Sequence, residues 1–263
     1  MPDVHPTAVV EPHAVLAEDV VVGPFAYVGR HAELAEGVRI GAHASVLGRT
    51  HIGASTRVFP YACLGGEPQI KGLELGDSEA AETRLEIGSN NVIREHATLH
   101  VGSPDGGGCT QIGDDNFIMN SAHVGHDCQI GSHCIVASFC GLAGHVLIED
   151  HVVLGAYTGI HQHARVGESV MAASNAKLSQ DAPPFSMVAG DRARLVGVNH
   201  VGLKRRNFSR DAMRAVKHAF HIVFHSKLGL DDALVRVRDE LGDSPEVARL
   251  VGFLESSERG FCR

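Results

Sequence analysis

From Val4 to Leu64 every sixth residue is aliphatic: Val4, Val10, Leu16, Val22, Val28, Leu34, Ile40, Val46, Ile52, Val58 and Leu64. A helix places side chains on one face with a period of 3.6 and a strand with a period of 2, so neither can gather this set. A period of six is the signature of a hexapeptide parallel β-helix. Two positions before the aliphatic residue stand Ala8, Ala14, Ala26, Ala32, Ala44, Thr50, Thr56 and Ala62, and glycine often follows it, as at Gly23, Gly29, Gly41, Gly53 and Gly65. Each hexad then supplies one short strand and one corner, and three hexads make a triangular coil of about 18 residues. Coils stack at about 4.8 Å, aliphatic on aliphatic, and glycine suits a corner where the backbone is restricted.

The phase slips twice. Leu64 and Ile87 are 87 − 64 = 23 residues apart, and Leu99 and Ile112 are 112 − 99 = 13 apart. These gaps predict loops inserted at about 66–84 and 101–108, the second being glycine-rich; long loops on a rigid scaffold commonly carry function. In the first, disordered chain is the alternative reading for the acidic run Asp77 to Glu82. The period resumes at Ile112 and runs to Leu178, and Pro183-Pro184 then predicts the end of strand pairing.

Beyond a connector the period becomes helical. Ser209 caps a helix with Met213, Val216, Phe220, Val223 and Phe224 on one face; Leu230, Leu234, Val237 and Leu241 mark a second closed by Gly242; Ser244-Pro245 opens a third with Val247, Leu250, Val251 and Leu254 inward. The expected architecture is mainly β, a parallel β-helix over residues 1–190 followed by a small C-terminal α-helical domain over 191–263.

Scarce aromatics (5%), no Trp and 30 Gly fit a core of small aliphatic residues with many tight turns. The six cysteines form no CxxC pair, and Cys128, Cys134 and Cys140 occupy the small-residue slot, which predicts buried, reduced thiols. No stretch reaches the roughly 18–20 apolar residues of a membrane span, and the N-terminus lacks the regions of a signal peptide, so a cytoplasmic location is expected. The net charge of −8 argues against nucleic acid as the main partner. Residues 192–227 nevertheless hold nine Lys or Arg against one Asp, a local +8 on an acidic protein, which suits an acidic ligand.

Residues 122–145, AHVGHDCQIGSHCIVASFCGLAGH, place His123, His126, Asp127 and His145 in slots that the hexad leaves free. With about 18 residues per coil, Asp127, His145 and His163 form one column and His126, Gly144 and Gln162 another. Two chemistries suit a cluster of His123, His126, His145, His161 and His163 with a carboxylate. In one, His126 is a general base oriented by Asp127; in the other, three histidines hold zinc with an open position. Spacing leaves both open.

The runs NSAHVGHDCQIG, GLAGH (141–145), IHQ (160–162), QDAPPF (180–185) and NHVGLKRRNFSRDA (199–212) resemble the acyl-carrier-protein-dependent UDP-N-acetylglucosamine O-acyltransferases of lipid A biosynthesis, over nearly the whole chain. The resemblance implies a homotrimer of left-handed β-helices with active sites between subunits, needing no cofactor or metal. It implies that His126 takes the proton of the sugar 3-hydroxyl as it attacks a (R)-3-hydroxyacyl thioester, with Asp127 holding the imidazole and the Gly144 N–H stabilising the oxyanion. His123, His145, His161 and Gln162 would line the site, Gln69 and Lys71 would reach the sugar, and Asn199, Arg205 and Arg206 would hold the nucleotide. The basic segment would meet the acidic acyl carrier protein.

Four positions depart from the family's pattern. Its PQDLKY is PQIKGL here (Pro68 to Leu73), its HRGT is HVGS (His100 to Ser103), a glutamate expected after Asn199 is Val201, and Ser174 stands where some members have the glycine that admits a long acyl chain. A 3-amino UDP-sugar acceptor, a γ-class carbonic anhydrase and a non-catalytic β-helix scaffold are the competing readings.

Overall fold

The structure, a computed structural model, describes residues 1–76 and 82–263, so Asp77 to Ala81 of the acidic run lie outside the described residues. The hexads form left-handed β-helical coils, each of three short strands, usually two residues long. Corresponding strands of successive coils pair in parallel and build three sheets. Pairing is aliphatic on aliphatic: Val4 opposes Val22, Val22 opposes Ile40, Ile40 opposes Val58, and Val58 opposes Ile93 across the first insertion. From Val22 onward these residues, with the alanines, cysteines and threonines two positions earlier, are buried in one continuous core, whereas Val4 in the first coil is exposed. Burial pushes the Cys128 and Cys134 thiols up to about 12, so they are inert filler.

The corners obey a rule that the glycine pattern obscures. The left-handed residue stands three positions after the aliphatic one and is seldom glycine: Phe25, His43, Tyr61, His96, Asp127, His133, His145, His151 and His163 all have φ between 57 and 63°. Asn, Asp and His tolerate this region better than other side chains. The glycine directly after the aliphatic residue serves close approach instead. A Cβ on Gly41 would lie 2.8 Å from Pro60 N, and one on Gly53 2.5 Å from Gly88 C. This slot also accounts for much of the histidine surplus, since 7 of the 18 occupy it (His13, His43, His96, His133, His145, His151 and His163). His123, His126 and His161 lie outside it.

Pro183-Pro184 does not end the pairing on every face. Ser186–Ala189 adds one more parallel strand beside Met171–Ala172, then pairs in antiparallel fashion with Arg194–Val198. Four α-helices follow: α1 (His200–Arg205), α2 (Arg210–Phe220), α3 (Leu230–Leu241) and α4 (Pro245–Glu255). The caps read from sequence hold: Ser209 Oγ accepts from Ala212 N–H and Ser244 Oγ from Val247 N–H. Helix α1 was not anticipated, since six residues carry too little period to read. Val216, Phe220, Val223, Leu234, Val237, Leu250 and Leu254 pack with Phe185 into a second core. Glu168 joins the two parts: only 8% exposed, it pairs with Arg206 at 2.5 Å and with Arg249 at 3.3 Å.

Candidate active site

Both insertions leave the β-helix at one corner. By the period, the corner residue three after Leu64 is Glu67 and the one three after Leu99 is Gly102, and in later coils the same corner carries Asp127, His145 and His163. The strands before these corners, Cys63–Gly66, Thr98–His100, His123–Val124, Gly141–Leu142 and Gly159–Ile160, are neighbours in one sheet.

At this corner His126 Nδ1–H donates to Asp127 Oδ2 at 2.7 Å, and the two side chains retain 11% and 1% exposure. That bond assigns the proton to Nδ1 and leaves the Nε2 lone pair free. The ring lies directly over Gly144, where an added Cβ would be 2.5 Å from His126 Cε1 and Nε2. The Gly144 N–H donates to no protein acceptor among the described residues. A base nitrogen and an uncommitted donor thus meet at one point on the surface.

Asp127 is held from several sides. Its oxygens accept the Ser103 N–H at 3.0 and 3.1 Å, and Oδ2 also accepts the Ser103 hydroxyl at 2.6 Å. Its own N–H donates to Thr110 Oγ1 at 2.8 Å. His145 Nε2 stands 3.7 Å from Oδ2, and the His145 ring stacks on His163 at 4.5 Å. Burial lowers the pKa of His145, a pull that Asp127 partly opposes. Atoms of His126, Asp127 and His145 lie within 4.8 Å of one another and are of types that bind zinc. The bonds they make, however, are to each other and to Ser103, with Oδ2 already shared by His126 Nδ1–H and by the N–H and hydroxyl of Ser103.

His123 bonds Thr98 Oγ1 through Nδ1 at 2.9 Å, and its ring faces His100 at 5.1 Å. Burial first, then the nearby His100 and His126, lower its pKa, so His123 is a neutral group. His100 ties the first inserted loop to the site, donating from Nδ1 to the Glu67 carbonyl at 2.7 Å. Gln69 and Lys71, farther along that loop, are exposed. His161 and Gln162 are exposed one coil beyond His145, with Arg259 reaching His161 Nδ1 at 3.2 Å.

The remaining expected site residues are not brought to His126 within one chain. Asn199 caps α1 through Gly202 N–H and donates to the Ser169 carbonyl at 2.9 Å. Arg206 is engaged by Glu168 and Ser169, whereas Arg205 is exposed. Ser174 is exposed in the last coils of the β-helix, just after the strand Met171–Ala172. Sequence reasoning missed Ser103, Thr110 and Glu168. The signal for the first was present in the break of period at 101–108, but no spacing rule says what an inserted loop touches.

Residues 109–144 match the bacterial transferase hexapeptide family over six repeats, and residues 181–262 match domain 2 of the UDP-N-acetylglucosamine O-acyltransferases. Two curated acyl-[acyl-carrier-protein]–UDP-N-acetylglucosamine O-acyltransferases, from Myxococcus xanthus and Paraburkholderia phymatum, are 47% and 46% identical to the chain, over 100% of both partners. Among solved structures, LpxA from Acinetobacter baumannii is 35% identical with a TM-score of 0.94, and the UDP-N-acetylglucosamine acyltransferase from Campylobacter jejuni is 37% identical with a TM-score of 0.92. Each comparison covers 99% of both chains. Identity at this level along whole chains, on the same fold, establishes that the protein belongs to the acyl-[acyl-carrier-protein]–UDP-N-acetylglucosamine O-acyltransferase family.

Proposed function

We propose that the protein transfers a (R)-3-hydroxyacyl group from acyl carrier protein to the 3-hydroxyl of UDP-N-acetylglucosamine, the first step of lipid A biosynthesis. The observation that carries this reading is the His126–Asp127 pair at 2.7 Å, lying over Gly144 in a member of this family. His126 Nε2 takes the hydroxyl proton as the sugar oxygen attacks the thioester carbonyl. Negative charge on the carbonyl oxygen is met by the Gly144 N–H. When the intermediate collapses, the carrier thiolate leaves and takes the proton from His126. Asp127 stabilises the imidazolium that forms between these steps.

Neutral His123 and His145, with His161 and Gln162, line the path of the reactants, and Gln69 and Lys71 reach the acceptor sugar. A site with the nucleotide-binding residues Asn199, Arg205 and Arg206 far from His126 in one chain is completed by a neighbouring subunit. The assembly is therefore a closed homotrimer of about 84 kDa, three times 27.9 kDa. The basic segment 192–227 receives the acidic carrier protein. No helix among the described residues is long and apolar enough to cross a membrane, consistent with the expected cytoplasmic site of the reaction. Ser174 narrows the acyl path, so Ser174→Gly lengthens the preferred chain, each added methylene contributing about 0.8 kcal/mol of burial; product mass spectrometry over a panel of carriers measures this.

The deciding experiment is His126→Ala. Turnover falls by roughly 10² to 10⁴ while nucleotide binding stays near wild type. A mutant that keeps its turnover, or a wild type that holds one metal ion per chain, overturns the general-base reading. Competition between UDP-N-acetylglucosamine and its 3-amino analogue tests the acceptor, which the altered Pro68 to Leu73 run leaves as the less constrained part of the site.

A further inference from the structure

Asp127 is buried at a corner where the regular β-helix would offer its carboxylate only imidazoles, the ring of His126 at 2.7 Å and that of His145 at 3.7 Å. In an uninterrupted coil the corner beneath it would carry the residue three after Leu99. The chain leaves the β-helix at that position, Gly102, and returns at Cys109. Both ends of this excursion bind Asp127. Ser103, 4% exposed, gives its N–H and its hydroxyl to the carboxylate, and Thr110, fully buried, takes the Asp127 N–H. The middle of the loop presses on the same group. A Cβ on Gly106 would lie 2.2 Å from Asp127 Oδ2 and 2.6 Å from Ser103 Oγ, so only glycine lets the loop close this tightly.

We infer that the 101–108 insertion is a clamp on the catalytic pair, and that the Ser103 hydroxyl is a positioning residue for the reaction. This rests on the proposed role of His126. A carboxylate that holds an imidazole by a single bond can rotate about its Cβ–Cγ bond, and His145 Nε2, 3.7 Å from Oδ2, offers a competing partner. Two donors from Ser103 fix both oxygens, so that Oδ2 faces His126 Nδ1, keeps the proton there, and holds Nε2 over Gly144. Ser103 does not touch substrate; it acts through Asp127. The hexad period fixes only backbone positions, and a carboxylate's rotamer needs a contact from outside the repeat.

The test is a pair of substitutions of nearly equal shape. Ser103 has extended backbone, φ −98° and ψ 152°, which β-branched residues adopt freely. Ser103→Thr keeps the hydroxyl and Ser103→Val does not. We expect kcat near wild type in the first and about tenfold lower in the second, with KM for the UDP-sugar unchanged in both, because a misaligned base costs rate rather than binding. In an Asp127→Asn background Ser103→Val should cost nothing further. A readout independent of turnover is the His126 Nδ1–H resonance, which should stay hydrogen-bonded in the Thr variant and weaken in the Val variant. Equal kcat and equal resonances in the two variants overturn the clamp and leave the reaction reading intact. Full turnover in His126→Ala, or no product from wild type, overturns the reaction reading, and the resonances still decide the clamp.

Discussion

The corner that carries Phe25, His43, Tyr61 and His96 and the corner that carries Asp127, His145 and His163 share one backbone conformation and differ in what their side chains meet. In the first, rings stack face to face at 5.0, 4.9 and 5.1 Å, coil upon coil. The stack passes from Tyr61 to His96 as though the inserted residues between them did not exist. In the second, both insertions leave the β-helix, and residues at and beside the corner gain partners from outside the repeat: Ser103 for Asp127, and the Glu67 carbonyl for the neighbouring strand residue His100. A repeat left alone produces a solvated ladder whose side chains see only copies of their own slot. Chemistry arises where the repeat is interrupted, because an interruption brings a different residue type against a fixed position.

If this contrast is right, crowding the interrupted corner damages function and leaves the fold alone. Gly144→Ala introduces a methyl 2.5 Å from the His126 ring at a position without positive φ, so the backbone accepts alanine but the ring cannot keep its place. Turnover should fall about 10²-fold, the loss typical of an ångström of misplacement, with the unfolding midpoint near wild type. A variant with wild-type kcat would show that the ring over Gly144 is not the productive geometry.

The uninterrupted corner should respond in the opposite sense. Tyr61→Asn keeps a residue that tolerates the left-handed conformation and removes the stack on His43 and His96. Aromatic pairs contribute about 0.5–1.5 kcal/mol beyond area, so stability should drop by about 1 kcal/mol in urea titrations while kcat is unchanged. Loss of activity here would break the division between the two corners.

A smaller effect separates them by pH. The pKa of His145 is lowered, by burial above all, whereas the unfolded chain titrates near the ordinary value of about 6.5. The unfolded state therefore takes up the proton first. The contribution of His145 to stability is complete above about pH 6.5 and is lost as pH falls below it toward the lowered folded value. Urea midpoints at pH 7.5 and 5.5 should differ less in His145→Asn than in wild type. Equal differences would mean that His145 titrates freely.

The six-residue period, by itself, determined the β-helix, the position of both insertions and the inward residues of every coil, because identical short strands can stack only one way when each must bury its aliphatic side chain. The capping residues Ser209, Ser244-Pro245 and Gly242 likewise set three of the helices from local chemistry. Spacing of 18 also brought Asp127, His145 and His163 into one column and put His126 over Gly144, but it could not choose between base and metal ligand. Tertiary structure decided what the period does not encode. It placed Ser103 and Gly106 on Asp127, committed Arg206 to Glu168, and carried one sheet beyond Pro183-Pro184 into a hairpin. The reason is physical: register passes from coil to coil through backbone hydrogen bonds, and a loop that leaves the coil, or an ion pair between distant segments, is held by contacts that no repeat predicts.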